Sequence, residues 1–188
     1  IRMHGLDPAE CLIEMVPRHG EETLRTSDII EKIGELNDDL ALLMFSGVQY
    51  YTGQFFDIKE LTKAAHLVGA NAGFDLAHAI GNVKMNLHDW NVDFAVWCSY
   101  KYLNSGPGGV SGVFVHEKYA NKKELKRLAG WWGYNEKNRF KMEPGFDPMP
   151  GADGWQLSNV NVISSAAHLS SLELFDRVGI SKLREKSE

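Results

Sequence analysis

Phe94-Ala95-Val96-Trp97-Cys98-Ser99-Tyr100-Lys101 is an apolar run that gives way to a lysine, and Ala70 to Asp75, just upstream, is an apolar run that stops on a carboxylate. Short, continuously apolar runs closed by polar residues are the pattern of strands in a parallel sheet, where both faces are covered. Leu40 to Phe45 reads the same way, and so does Val110 to Val115, which a loop rich in Gly and Ser separates from the lysine-bearing run. Helical spacing fills the intervals. Thr26 to Asn37 carries Ile29, Ile30, Ile33 and Leu36 on one stripe. Asp57-x-x-Glu60 is a helix start, with a capping side chain and a glutamate three residues on, followed by Ile58, Leu61, Ala65 and Val68 on one face. After Glu117 a basic stretch to Leu128 reads as helix, Gly130 to Gly154 as an aromatic, Pro/Gly-rich loop region, and Val162 to Val178 as a further helix. Strands alternating with helices predict an α/β layer, a mainly parallel sheet flanked by helices. In such sheets ligands gather beyond the carboxyl ends of the strands.

Composition narrows the function. Apolar residues make up 44% and charged residues 24% of 188 residues, with net charge −5, ordinary values for one globular domain. A mildly acidic chain offers no basic face for nucleic acid or an anionic membrane. Leu40 to Phe45 and the other apolar runs fall far short of the roughly 20 residues of a membrane span. Cys11 and Cys98 lie far apart in unlike contexts, which fits a reducing compartment, so the cytoplasm is expected. The chain opens on Ile1 without an initiator Met and closes in the charged, helix-like Ser181 to Glu188. It is therefore expected to be a segment of something longer.

Three strand ends carry the chemistry. Lys101, set against an apolar layer, has the surroundings of a nucleophilic amine, although a solvated lysine is the commoner occupant of a strand end. Asp75 needs a cationic or hydrogen-bonding partner there, or else caps the next segment. Ser46-Gly47 closes the third strand, and Gly106-Pro107-Gly108-Gly109 follows the lysine without the order of a mononucleotide-binding loop. His66, His78 and His88, with Asp75 and Asp89, match no metal-ligand spacing, so no metal is expected.

The order strand–Asp–x–x–His, strand–Ser–Tyr–Lys, glycine-rich turn resembles the fold-type-I pyridoxal-phosphate (PLP) enzymes. Within them the wording is similar to the kynureninase family. The similarity rests on Phe45 to Gln54, Phe74-Asp75-Leu76-Ala77-His78-Ala79-Ile80-Gly81-Asn82, His88-Asp89-Trp90, Val92 to Ala95 and Trp97 to Asn104. It continues through Gly130-Trp131-Trp132-Gly133 and Leu157-Ser158-Asn159, spanning about His19 to Phe175.

The resemblance implies PLP as cofactor, held covalently by Lys101, which also moves the Cα proton. It implies that Asp75 pairs with the pyridine nitrogen, that His78 sits beside the ring, and that Ser46 touches the cofactor. Tyr100 is implied as a phosphate contact and proton donor. Trp131 and Asn159 would complete the pocket across a homodimer interface. The implied reaction is hydrolysis of the Cβ–Cγ bond of kynurenine or 3-hydroxykynurenine to alanine and an anthranilate, in tryptophan catabolism and NAD biosynthesis. On this reading residues 1–188 are part of the PLP-binding large domain. The phosphate cradle, the ring-stacking aromatic and the small domain with its carboxylate-binding arginine are expected outside them. Two rival readings remain: another fold-type-I lyase such as a cysteine desulfurase, which would share Asp75 and Lys101 but not Trp97-Cys98-Ser99-Tyr100, and a non-catalytic fragment.

Overall fold

The computed structural model describes residues 1–187. Strands β1 (Leu42–Ser46), β2 (Asn71–Asp75), β3 (Phe94–Trp97) and β4 (Gly112–Val115) form one sheet in the order β1-β2-β3-β4. The first three are parallel and β4 returns antiparallel beside β3. Helices α1 (Pro8–Cys11), α2 (Thr26–Leu36), α3 (Ile58–Leu67), α4 (Val162–Val178) and α5 (Ile180–Ser187) complete the regular structure, with short 3-10 turns between.

The expected cap is in place: Asp57 Oδ1 accepts the Glu60 N–H at 3.0 Å, and α3 then buries Ile58, Leu61 and Ala65. This helix makes the crossover from β1 to β2 and packs on β2. In the register Leu43 pairs with Ala72, and Phe45 with Phe74 and so with Ala95, which puts these side chains on one face. Leu43, Ala72, Phe74 and Ala95 are buried there with Ile29 and Ile33 of α2 and the apolar stripe of α3. Phe74 is wholly buried, so its truncation to alanine costs about 3–5 kcal/mol.

Within residues 1–187 the cover expected on both faces of these strands is present on one face. Leu42, Met44, Val96 and Val113 alternate with the core residues and are 44%, 46%, 38% and 42% exposed. The core cluster, with α2 and α3, lies on the other face only.

The helix expected from Glu117 to Leu128 is also absent, replaced by a single 3-10 turn (Glu117–Tyr119) and a string of turns. Tyr119, Leu125 and Leu128 form no continuous apolar stripe, and without a face to bury a helix of that length is marginal. The side chains find other uses. Lys118 is drawn to Asp93, Lys122 lies over the Tyr119 ring, and Arg127 donates to the carbonyls of Leu125 and Lys122. Further on, α4 spans the expected residues, capped by Asn161, whose Oδ1 accepts from Ser164 N. Both cysteines are free, and no helix among the described residues is long and apolar enough to cross a membrane.

The amino ends of the strands are tied by a buried carboxylate. Asp93, immediately before β3, accepts from Ala72 N and Tyr119 Oη, each at 2.6 Å, and pairs with Lys118 at 2.6 Å and His66 Nε2 at 2.8 Å. It thereby joins β2, α3, β3 and the turn after β4. Burial by itself would push this carboxyl up. Lys118, Tyr119, the Ala72 amide and His66 outweigh that and hold it at about 2. The Tyr119 hydroxyl, buried against this carboxylate, is pushed well above the usual phenol range.

Candidate active site

The opposite, carboxyl ends of the strands gather the residues singled out from the sequence. Ser46 and Asp75 end β1 and β2 in register, with Val96 next across the sheet. Gly47 lets these ends close up. Its amide donates to the Asp75 carbonyl at 2.8 Å, and a Cβ at Gly47 would sit 2.7 Å from Leu76 Cδ2 and 2.8 Å from Ala79 Cβ. The chain then turns back through Gln49, whose side-chain oxygen accepts from the amides of Tyr51 and Thr52 and so holds Tyr50 over the cleft.

Lys101 lies four residues beyond the end of β3, on a loop stitched at its base. The buried Ser99 hydroxyl donates to the Val110 carbonyl and lies 2.7 Å from Ser105 Oγ, while Ser105 N donates to Ser99 O at 3.2 Å. A Cβ at Gly109 would collide with Ser105 Oγ and touch Ser99 Oγ. The last glycine of the Gly106-Pro107-Gly108-Gly109 cluster therefore packs the loop. Asn104 adopts φ +56 to turn the chain back.

The result is a cleft of about 300 Å³ lined by Ser46, Val48, Tyr50, Asp75, Ala77, His78 and Lys101. Lys101 Nζ is 2.8 Å from His78 Nε2, and Tyr102 Oη is 3.4 Å from His78 Nδ1. The His78 ring lies between Tyr50 and Tyr102, at centroid distances of 6.3 Å and 5.9 Å. Asp75 Oδ1 accepts the Ala77 amide at 2.8 Å, the capping contact weighed from the sequence. Among the described residues no cation pairs with Asp75 and no carboxylate pairs with Lys101. An unspent carboxylate and an unspent amine in one cleft can bind a polar ring, accept or deliver a proton, and form a covalent bond through nitrogen.

Four of the predicted site residues thus converge: Ser46, Asp75, His78 and Lys101. Tyr100 does not line the cleft and is half exposed, although it is the neighbour of Lys101. Trp131 packs edge-on to Phe140, 5.5 Å between ring centres, and Asn159 is exposed; neither reaches the cleft within this chain. Tyr50 and Tyr102 are the contributors that sequence reasoning left without a role. Their signal was position, one in the turn after β1 and one beside the lysine.

The histidines go to separate places. His66 meets Asp93, His78 meets Lys101, and His88 bonds Glu117 at 3.1 Å while stacking on His116. Glu117 first and Asp89 second hold His88 above the usual imidazole range. No group of three or more His, Cys, Asp or Glu among the described residues could hold a metal ion.

Known proteins resemble the chain closely. It is 57% identical over 186 residues to a kynureninase of Flavobacterium psychrophilum, covering 99% of this chain and 44% of that protein. It is 56% identical over 187 residues to a kynureninase of Yarrowia lipolytica, covering 99% of this chain and 43% of that one. The chain thus spans less than half the length of these relatives. A solved structure of a C-DES variant with glycine covalently linked to its PLP cofactor superimposes with a TM-score of 0.68 at 20% identity, over 84% of this chain and 41% of that one, and shares the fold. The aminotransferase class-V family model matches residues 11–141. With the lysine and the aspartate at the strand ends where the fold places chemistry, the chain belongs to the aminotransferase class-V family.

Proposed function

We propose that the protein binds PLP through Lys101 and hydrolyses the Cβ–Cγ bond of kynurenine or 3-hydroxykynurenine, giving alanine and the corresponding anthranilate. The observation that carries this is the convergence of Lys101, Asp75, His78 and Ser46 on one cleft. The 57% identity to a relative named kynureninase, spread over 99% of the chain, supports it. The cleft fits the cofactor. Its carboxylate lacks a cation, its amine lacks a carboxylate, and its volume of about 300 Å³ is of the size of a small-ligand site. PLP bound there supplies an electron sink for charge developing at the α-carbon of an amino-acid substrate.

The chain's own groups then divide the work. The Asp75 carboxylate holds a proton on a ring nitrogen, which a neutral side chain in its place would not. Lys101 Nζ takes the Cα proton and returns it elsewhere, and its loop, stitched by Ser99 and Ser105, keeps that amine in place. Ser46 Oγ and His78 border the ring. Tyr100 contacts the phosphate, and Trp131 and Asn159, exposed in this chain, complete the cofactor pocket across a homodimer in the cytoplasm. Tyr100 also serves as donor to the departing carbon.

The test is the full-length protein with PLP and kynurenine, read by the fluorescence of anthranilate. Turnover that disappears in Lys101→Ala together with the visible absorption of the bound cofactor is expected. A Lys101-dependent visible band without anthranilate would assign the site to another reaction of the family. Mixing inactive Lys101→Ala and Trp131→Ala subunits should restore part of the activity if the site is shared between copies. No recovery would place Trp131 in the site of its own subunit rather than its partner's.

A further inference from the structure

Lys101, His78 and Tyr102 form a chain of contacts in which the middle member has a use beyond bordering a ring. A lysine ammonium has three donors and no acceptor. At 2.8 Å from His78 Nε2 it must therefore meet the lone pair of that nitrogen. This sets the tautomer, because the proton of the neutral imidazole then lies on Nδ1, where Tyr102 Oη stands 3.4 Å away to receive it. A nucleophile within hydrogen-bond reach of a base, with the base oriented by a third group, is the general arrangement of an activated nucleophile.

We propose that His78 is the base that takes the proton from Lys101 and frees its amine to bond to the cofactor, and that Tyr102 is the positioning residue that holds His78 with Nε2 toward the lysine. The proposal rests on Lys101 being the cofactor lysine. In the step, the ammonium proton passes from Nζ to Nε2, leaving a neutral amine and an imidazolium. Tyr102 Oη accepts the Nδ1–H bond of that imidazolium, which then returns one proton to the water of the open cleft. The amine of Lys101, so freed, would bond to the aldehyde carbon of PLP, one water leaving as the C–N linkage forms. The titratable groups around His78 are Lys101 and Tyr102 from the loop after β3, Asp75 at the end of β2 and Tyr50 from the turn after β1. Asp75 and Lys101 carry the formal charges among them. Tyr50 lies 6.3 Å from the imidazole between ring centres, its ring tilted by 41°.

The experiment times the capture of PLP by the full-length protein freed of cofactor, through the rise of visible absorption, at about pH 7 and about pH 10.5. At the higher pH abundant hydroxide takes over the part of the base, which becomes dispensable. His78→Ala should slow capture on the order of tenfold or more near neutrality, recover to within about twofold of the parent in alkali, and be rescued near neutrality by added imidazole. Tyr102→Phe should show the same pattern with a smaller deficit, about threefold, about 0.6 kcal/mol and so in the range of one net hydrogen bond. The alkaline rate reports that each variant is folded. An equal deficit at both pH values, or no rescue by imidazole, overturns the base role of His78, and parental capture by Tyr102→Phe overturns the role of Tyr102. Visible absorption persisting in Lys101→Ala would be a separate failure, of the lysine assignment itself.

Discussion

Asp93→Asn should cost stability at neutral pH and cost much less in acid. The carboxylate is 3% exposed and takes four partners: Ala72 N, Tyr119 Oη, Lys118 Nζ and His66 Nε2. Its folded value of about 2 against about 3.9 in an unfolded chain corresponds to about 2.5 kcal/mol. The sign follows from a depressed folded value. The stabilisation is complete above about pH 4 and is lost as the pH falls through about 2. Asparagine keeps one acceptor oxygen but turns an N–H₂ group toward donors. Lys118 is partly exposed and can swing into water, which limits the loss, so the expected cost at pH 7 is about 2–4 kcal/mol. The assay is urea unfolding of parent and variant in full-length protein at pH 7 and near pH 2.5. The difference between the two proteins should shrink by roughly half or more at the lower pH, whatever else titrates in both. An undiminished difference would refute the charge-based account and leave a packing effect in its place.

Three further outcomes follow from the geometry. Asp75→Asn should lower turnover by well over tenfold, about 1.4 kcal/mol of barrier, while the visible absorption of the lysine-linked cofactor remains; a smaller loss would make Asp75 a cap for Ala77 and nothing more. Gly109→Ala, whose new methyl would strike Ser105 Oγ, should displace the Lys101 loop and slow PLP capture, and the double variant with Ser105→Gly should regain most of the loss; no recovery would show that the collision is not the cause. Residues 1–188 expressed alone should associate through the exposed face of Leu42, Met44, Val96 and Val113, and a sharp monomer peak in size exclusion at tens of micromolar (roughly) would show that the face is not adhesive.

Strand ends were the most legible part of the sequence. Ser46, Asp75 and Lys101 could be placed because an apolar run of strand length fixes where a parallel strand stops, and α/β sheets use those stops. The Asp57 cap was legible because its partner, the Glu60 amide, is three residues away. Long-range pairing was not. Asp93 meets His66, Ala72 and Lys118 across three separate elements, and in the sequence it is one aspartate at the head of an apolar run. The same limit hid Tyr102, whose partner His78 lies on a different strand's loop. The Glu117 to Leu128 stretch misled for the opposite reason. Its composition suits a helix, but it has no apolar face to bury, and its cations are claimed by Asp93, the Tyr119 ring and nearby carbonyls.

The two aspartates of the sheet argue the function between them. Asp93 and Asp75 lie at opposite ends of adjoining strands, yet one has four partners and the other a single backbone donor. A buried carboxylate must be satisfied within the fold, since leaving it bare costs several kcal/mol, and Asp93 is fully used in holding the strand starts together. Asp75 is exposed at the cleft, so water satisfies most of it at little cost and the fold uses it only to cap the Ala77 amide. Lys101, partly buried, bonds an imidazole and pairs with no carboxylate among the described residues. Stability alone would favour joining these two opposite charges, which share one cleft, and the fold instead keeps them apart. On the function proposed above, that separation would leave Asp75 free for a cationic ring nitrogen and Lys101 free for an electrophilic carbon.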